Sequence, residues 1–272
     1  MSSTRPKKVL DRRLRVLDAW VAGQMRPAEG ATGDEIRAWY ETTEQALLAD
    51  MASDLPGWWD ALTQRLTMTD VGAQLAAGHF SLDLPLSLFL FAGGEPFQRK
   101  LAEAARQDGT LAAAAVEALS TVLGSGRPVW AGRAAAVRMI GIDVAIAAWV
   151  RLYIYETASG GFADPTFASI DFWAFHLGGP LGKRAPALGW AFVRGLVAAA
   201  PDELLDDVGA AELEDFCWAA GRRYIDRIED EARRDPRFRT ALASVWPGGQ
   251  VTSPGLYDRI RQAAEPATTP AS

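Results

Sequence analysis

The chain has 272 residues, a formal net charge of −6, ten Trp and eleven Phe. So many aromatic residues exclude disorder of the whole chain. The acidic balance argues against nucleic acid as partner, which requires a concentrated basic face. The single cysteine, Cys217, excludes an internal disulfide and any multi-cysteine metal or iron–sulfur site. A reducing cytoplasm suits that usage, and no apolar segment with a small-residue cleavage site suggests a secretory signal.

Helix signals dominate from the N-terminus onward, and no Asn-Gly hairpin or alternating strand interrupts them. A first helix is predicted over residues 7–23, with Val9, Leu10, Leu14, Leu17 and Val21 on one face. Its basic residues, among them Arg12, Arg13 and Arg15, read as a solvated face. A second helix is expected from an Asp34 cap to about Ala52, with Ile36, Tyr40, Leu47 and Met51 inward. Ser53 and Asp54 are cap candidates for a third, in which Trp58, Leu62 and Leu66 recur at helical spacing. The apolar stretch 82–94 is too short to span a bilayer and reads as a buried helix ending at Gly93-Gly94. Helices over 95–107 and 110–123 come next, split by Asp108-Gly109.

Val129 to Tyr155 reads as the central apolar helix of the fold, with a bend at Gly141. Only Asp143 and Arg151 are charged between Met139 and Tyr155. Two charges and a short apolar run exclude a membrane span here. "SGGFADP" (159–165) is the expected domain boundary, and Asp164-Pro165 starts a helix in the favoured cap-then-proline order. After a break at 177–186, a helix from Pro186 carries Trp190, Val193 and Val197. Pro201 opens a short acidic helix ending at Gly209. A long helix then places Leu213, Phe216, Cys217, Ala220, Tyr224, Ile228 and Ala232 on one apolar stripe. Residues 247–272 read as a Pro/Gly-rich, partly disordered tail with a helical turn near Leu256–Ala263.

Seven carboxylates fall between Asp202 and Asp215, beside Cys217. A structural origin accounts for them, since Glu212, Glu214 and Asp215 in a first turn meet the positive end of the helix dipole. On the apolar stripe Cys217 is an inert small hydrophobe. Further along, Glu229 and Asp230 stand four residues before Arg233 and Arg234, and Arg222 can reach Asp226.

The stretches "DFWAF" (171–175), "GAAELED" (209–215) and "IEDEARRDPRFRTALASVW" (228–246) resemble a family of bacterial helical domains of unknown function. The resemblance spans about residues 162–246. Ala211-Glu212 stand where that family's pattern has Gly-Pro, and Ala220 precedes Gly221 where it has His. The resemblance implies an all-helical domain and names no reaction.

The two histidines, His79 and His176, form no metal-ligating spacing, so no metal is expected. Neither a nucleophile elbow nor a phosphate-binding glycine loop is present, and no cofactor is expected. "DELLDD" (202–207) resembles the Asp-rich magnesium motif of helical terpene cyclases, but the second motif those enzymes require is absent.

The expected fold is all-α: about ten helices in two packed or solenoid-like layers around the central apolar helix. Its domains are a helical region 1–158, a helical subdomain 162–246 and the tail 247–272. Two functions remain open. One is a cytoplasmic interaction protein, an adaptor or immunity-type binder, using the acidic surface around Glu203–Asp215 to hold a protein partner. The other is a binder or biosynthetic enzyme for a small hydrophobic or aromatic ligand. There Asp143 serves as general base or anchor, and Arg151, Trp149, Tyr153, Trp173 and His176 line an interhelical pocket. The competing reading of Asp143 is a buried ion pair.

Overall fold

A computed structural model describes residues 4–22, 30–68, 71, 73, 82–124, 129–159, 169–246 and 254–265. Among these, every regular element is a helix, and no helix is long and apolar enough to cross a membrane. The chain is all-α, as the helical periodicities require. It packs as two compact units. One comprises Met1–Ile140 with Ala168–Trp173; the other comprises Gly141–Phe167 with Ala174–Ser272. The "SGGFADP" stretch and its cap lie largely outside the described residues, as does His79.

The first unit contains α1 (Thr4–Val21), α2 (Gly33–Ser53), α3 (Leu55–Leu66), α4 (Asp83–Ala105), α5 (Gly109–Gly124) and α6 (Val129–Ile140). Helix α1 packs on α3, α2 on α4, and α5 between α4 and α6. Leu17, Met51, Trp58, Leu62 and Leu66 are fully buried, whereas Val9, Ile36 and Tyr40 are exposed. Thr32, not Asp34, caps α2. Its hydroxyl accepts from the Glu35 N–H, and Glu35 accepts from the Thr32 N–H in return. Asp54 caps α3 by accepting from the Gly57 N–H, and its other oxygen lies 2.9 Å from Arg13. Arg13 is therefore buried, its guanidinium 5.4 Å from the Trp58 ring, and not part of a solvated face. Helix α4 is broken at Gly94, whose φ is 62°.

The expected continuous central helix is two helices. Helix α6 ends at Ile140, and α7 (Ile142–Ser159) begins the second unit. Gly141 lies between them at φ 118°, a conformation strained for any residue with a Cβ. Arg106 closes α6 by donating to the carbonyls of Met139 and Ile140, at 2.9 and 2.8 Å.

The second unit continues with α8 (Gly178–Arg184), α9 (Pro186–Ala199), α10 (Leu205–Val208), α11 (Glu214–Arg234), α12 (Pro236–Ala243) and α13 (Pro254–Ala264). The ring of Trp190 meets those of Phe216, Tyr224 and Phe238, which ties α9, α11 and α12 together. Full burial of one such side chain contributes about 2–3 kcal/mol. Helix α13 is longer than the turn expected in the tail. Ile260 buries one face of it, and Arg259 fastens it to Asp226 and Glu229 of α11.

Gly209 does not end a helix. Residues Gly209–Leu213 form a π turn joining α10 to α11, and Gly209 keeps helical dihedrals of −65° and −53°. It is glycine because of proximity: a Cβ there would overlap the carbonyl of Ala241 on α12. Gly209→Ala is expected to destabilise the protein by about 2 kcal/mol in urea unfolding. Gly33→Ala, where a Cβ meets open space, should change stability by less than about 0.5 kcal/mol.

Candidate functional site

The π turn decides where its carboxylates point. One extra residue in the turn rotates the succeeding helix by about 100°, which removes Glu212 from the exposed first turn expected of it. Glu212 is fully buried. Its Oε1 accepts from the Trp149 indole N–H at 3.1 Å and from the His176 backbone N–H at 2.8 Å. Its Oε2 accepts from the Gly178 N–H at 2.6 Å. One carboxylate thus joins α7, the turn before α8 and the root of α11. Gly178 has to be glycine, because a Cβ would overlap the backbone carbonyl of Glu212.

Burial pushes the Glu212 carboxyl up to about 7, against the lowering effect of the Gly178 and His176 N–H groups. Tyr153 stacks on Trp149 with ring centroids 3.9 Å apart, and its phenol is also raised, by burial first and then by the Glu212 charge. His176 has a left-handed φ of 55°, uncommon for a residue with a side chain. The N–H that it donates to Glu212 helps hold that conformation. Its Nδ1 lies 3.1 Å from Asp215, and this contact raises the imidazole above its ordinary value. The imidazole is 55% exposed and rests against Phe175.

The structure therefore brings three of the expected site residues, Trp149, Tyr153 and His176, around one carboxylate, and that carboxylate is Glu212. Asp143 lies in the first turn of α7 with its side chain exposed, neither in a buried ion pair nor in an apolar environment. Arg151 is exposed on the same helix, and Trp173 is buried in the first unit. Glu212 was missed because an acidic residue at a helix start has an ordinary surface explanation. Among the described residues, no three His, Cys, Asp or Glu side chains are grouped to hold a metal ion.

The neighbouring Cys217 is fully buried and its thiol is pushed up to about 12 by burial, which suits the inert role expected of it. The other carboxylates are distributed between contacts and solvent. Asp206 accepts from the Ser244 hydroxyl at 2.7 Å, and Glu214 accepts from the Trp246 N–H at 2.7 Å. Asp202 is ion-paired with Arg237. Asp207 is raised by burial and then by the charges of Glu156 and Asp206.

Residues 166–268 match the model of a family of unknown function (DUF6869). The match covers most of the second unit, including the whole Glu212 environment except Trp149 and Tyr153. No curated protein and no solved structure matches the chain.

Glu212→Gln keeps the shape but turns an amide N–H₂ toward a backbone or indole donor. It is expected to destabilise the protein by about 1–3 kcal/mol. The folded carboxyl lies above its unfolded value of 4.5, so its contribution is greatest below pH 4.5 and is lost as pH rises to about 7. The full span corresponds to about 3 kcal/mol. Chemical denaturation from pH 4.5 to 8 should show this decline in the wild type and a flatter profile in Glu212→Gln. In NMR titration His176 should titrate above 6.5, and Asp215→Asn should bring it down.

Proposed function

We propose that this chain is a cytoplasmic interaction protein, an adaptor or immunity-type binder, which uses the acidic end of its second unit to hold a protein partner. Helix α11 changes character along its length, and this asymmetry supports the reading. Toward its C-terminus the carboxylates are matched. Asp226 and Glu229 meet Arg259, Asp230 meets Arg233 and Arg234, and Glu231 meets Arg194 at 2.9 Å. At its root, neither Glu214 nor Asp207 has a cationic partner among the described residues, and both carboxyls are raised. Uncompensated, partly desolvated carboxylates cost free energy in the free protein. A basic partner recovers it, and like charges there repel wrong partners.

Native mass spectrometry of the protein recovered from its own cells tests this. A protein bound at defined stoichiometry, and lost when Glu203, Asp206 and Asp207 are changed together to Gln, Asn and Asn, is the expected result. A small molecule bound at near-unit stoichiometry would instead support the ligand-binding or biosynthetic alternative. A complex that ignores the triple substitution would place the partner on another face.

A further inference from the structure

The root of α11 also carries exposed aromatic surface. On a helix of 100° per residue, Trp218 lies about 40° from Glu214 and about 60° from Asp215 on the other side. Trp218 is 38% exposed. A second exposed tryptophan has its backbone held at Glu214. The stretch of chain after α12 is fastened across α10 and α11: Ser244 donates to Asp206, Val245 is buried, and the Trp246 N–H donates to Glu214. The backbone of Trp246 is thus fixed at Glu214, while its side chain remains 70% exposed, as much as any large apolar residue in the described chain.

Glu214 has no cation among the described residues, an exposed Trp218 four residues along its helix and an exposed Trp246 held to it through the backbone, and together these define the chemistry of a group that covers them. An apolar segment would desolvate the Glu214 charge with the Trp246 N–H as its donor and no cation beside it. An acidic segment would be repelled. A guanidinium satisfies both features, because its plane stacks on indole while its N–H groups donate to carboxylate. An ammonium is a compact, strongly hydrated charge and makes poorer use of the flat indole surface. Tryptophan and arginine are also the residues most enriched where binding energy concentrates at interfaces.

We infer that the face formed by Trp218, Glu214 and Trp246 is a docking surface for an arginine side chain of a basic protein segment. This rests on the interaction reading above and names the residue type that the partner presents. Glu214 accepts the guanidinium N–H groups, and the indoles of Trp218 and Trp246 provide stacking surface. Asp215, the next residue in the same first turn, adds negative charge.

The test uses the full chain labelled with ¹⁵N and an acetylated (Gly-Arg)₃ amide as probe, with the lysine and glutamate counterparts beside it. The indole N–H signals of Trp218 and Trp246 are assigned by Trp→Phe substitution. Both signals are expected to shift saturably with the arginine peptide. Binding should be at least tenfold weaker with the lysine peptide and absent with the glutamate peptide. Glu214→Gln should weaken arginine binding about tenfold, and Trp246→Ala should abolish the Trp218 shift, each with amide dispersion retained. Unmoved indole signals, or shifts indifferent to Glu214→Gln and Trp246→Ala, would overturn the assignment. Equal binding of the lysine peptide would overturn the guanidinium preference. A cellular complex that survives both substitutions sinks this surface and leaves the interaction reading standing. Peptide binding without any cellular complex does the reverse.

Discussion

A buried carboxylate with three N–H donors holds the second unit in register. Glu212 receives its hydrogen bonds from an indole on α7, from the backbone of a left-handed histidine and from the first residue of α8. The donors come from two distant segments, α7 and the turn at 176–178, so their positions are mutually constrained through one side chain. An unpaired carboxylate at zero exposure would cost several kcal/mol, and the three donors offset much of that cost. The upward shift to about 7 reflects the part that remains. Glycine at 178 and at 209 lets backbone come close enough for this arrangement to close.

The π turn links that constraint to the surface. By rotating the helix it sends Glu212 inward and leaves Glu214, Asp215 and Trp218 on the outside. The same turn that organises the interior therefore sets out the acidic and aromatic face. His176 stands at the junction. Its backbone belongs to the buried cluster and its imidazole to the exposed pair with Asp215. Protonation of His176 therefore changes the charge of its exposed pair with Asp215.

Much of the local structure was legible from periodicity. The inward faces of α3, α9 and α11 reflect apolar residues recurring every three or four positions, and Trp58, Leu62, Val193, Phe216 and Ile228 are buried as that spacing requires. The Asp54 cap was also legible. Reading failed where partners distant in sequence decide. Arg13 is buried because Asp54 and Trp58 are waiting for it, and nothing near residue 13 carries that information. Asp143 looked buried because its neighbours in sequence are apolar, but it stands exposed in the first turn of a helix that starts at Ile142. In the tail, Arg259 and Ile260 stabilise α13 through contacts to α11 and not through local propensity.

The sequence by itself determined an all-helical chain with an acidic balance, an inert cysteine and several correctly faced helices. These properties depend on composition and on spacing within a turn or two. Only the tertiary structure decided that Glu212 leaves the helix surface, that Trp149, Tyr153 and His176 gather around it, and that Trp246 is tethered to Glu214. Those outcomes depend on a one-residue change of helical register and on close backbone approaches between distant segments. Neither is visible in a local pattern.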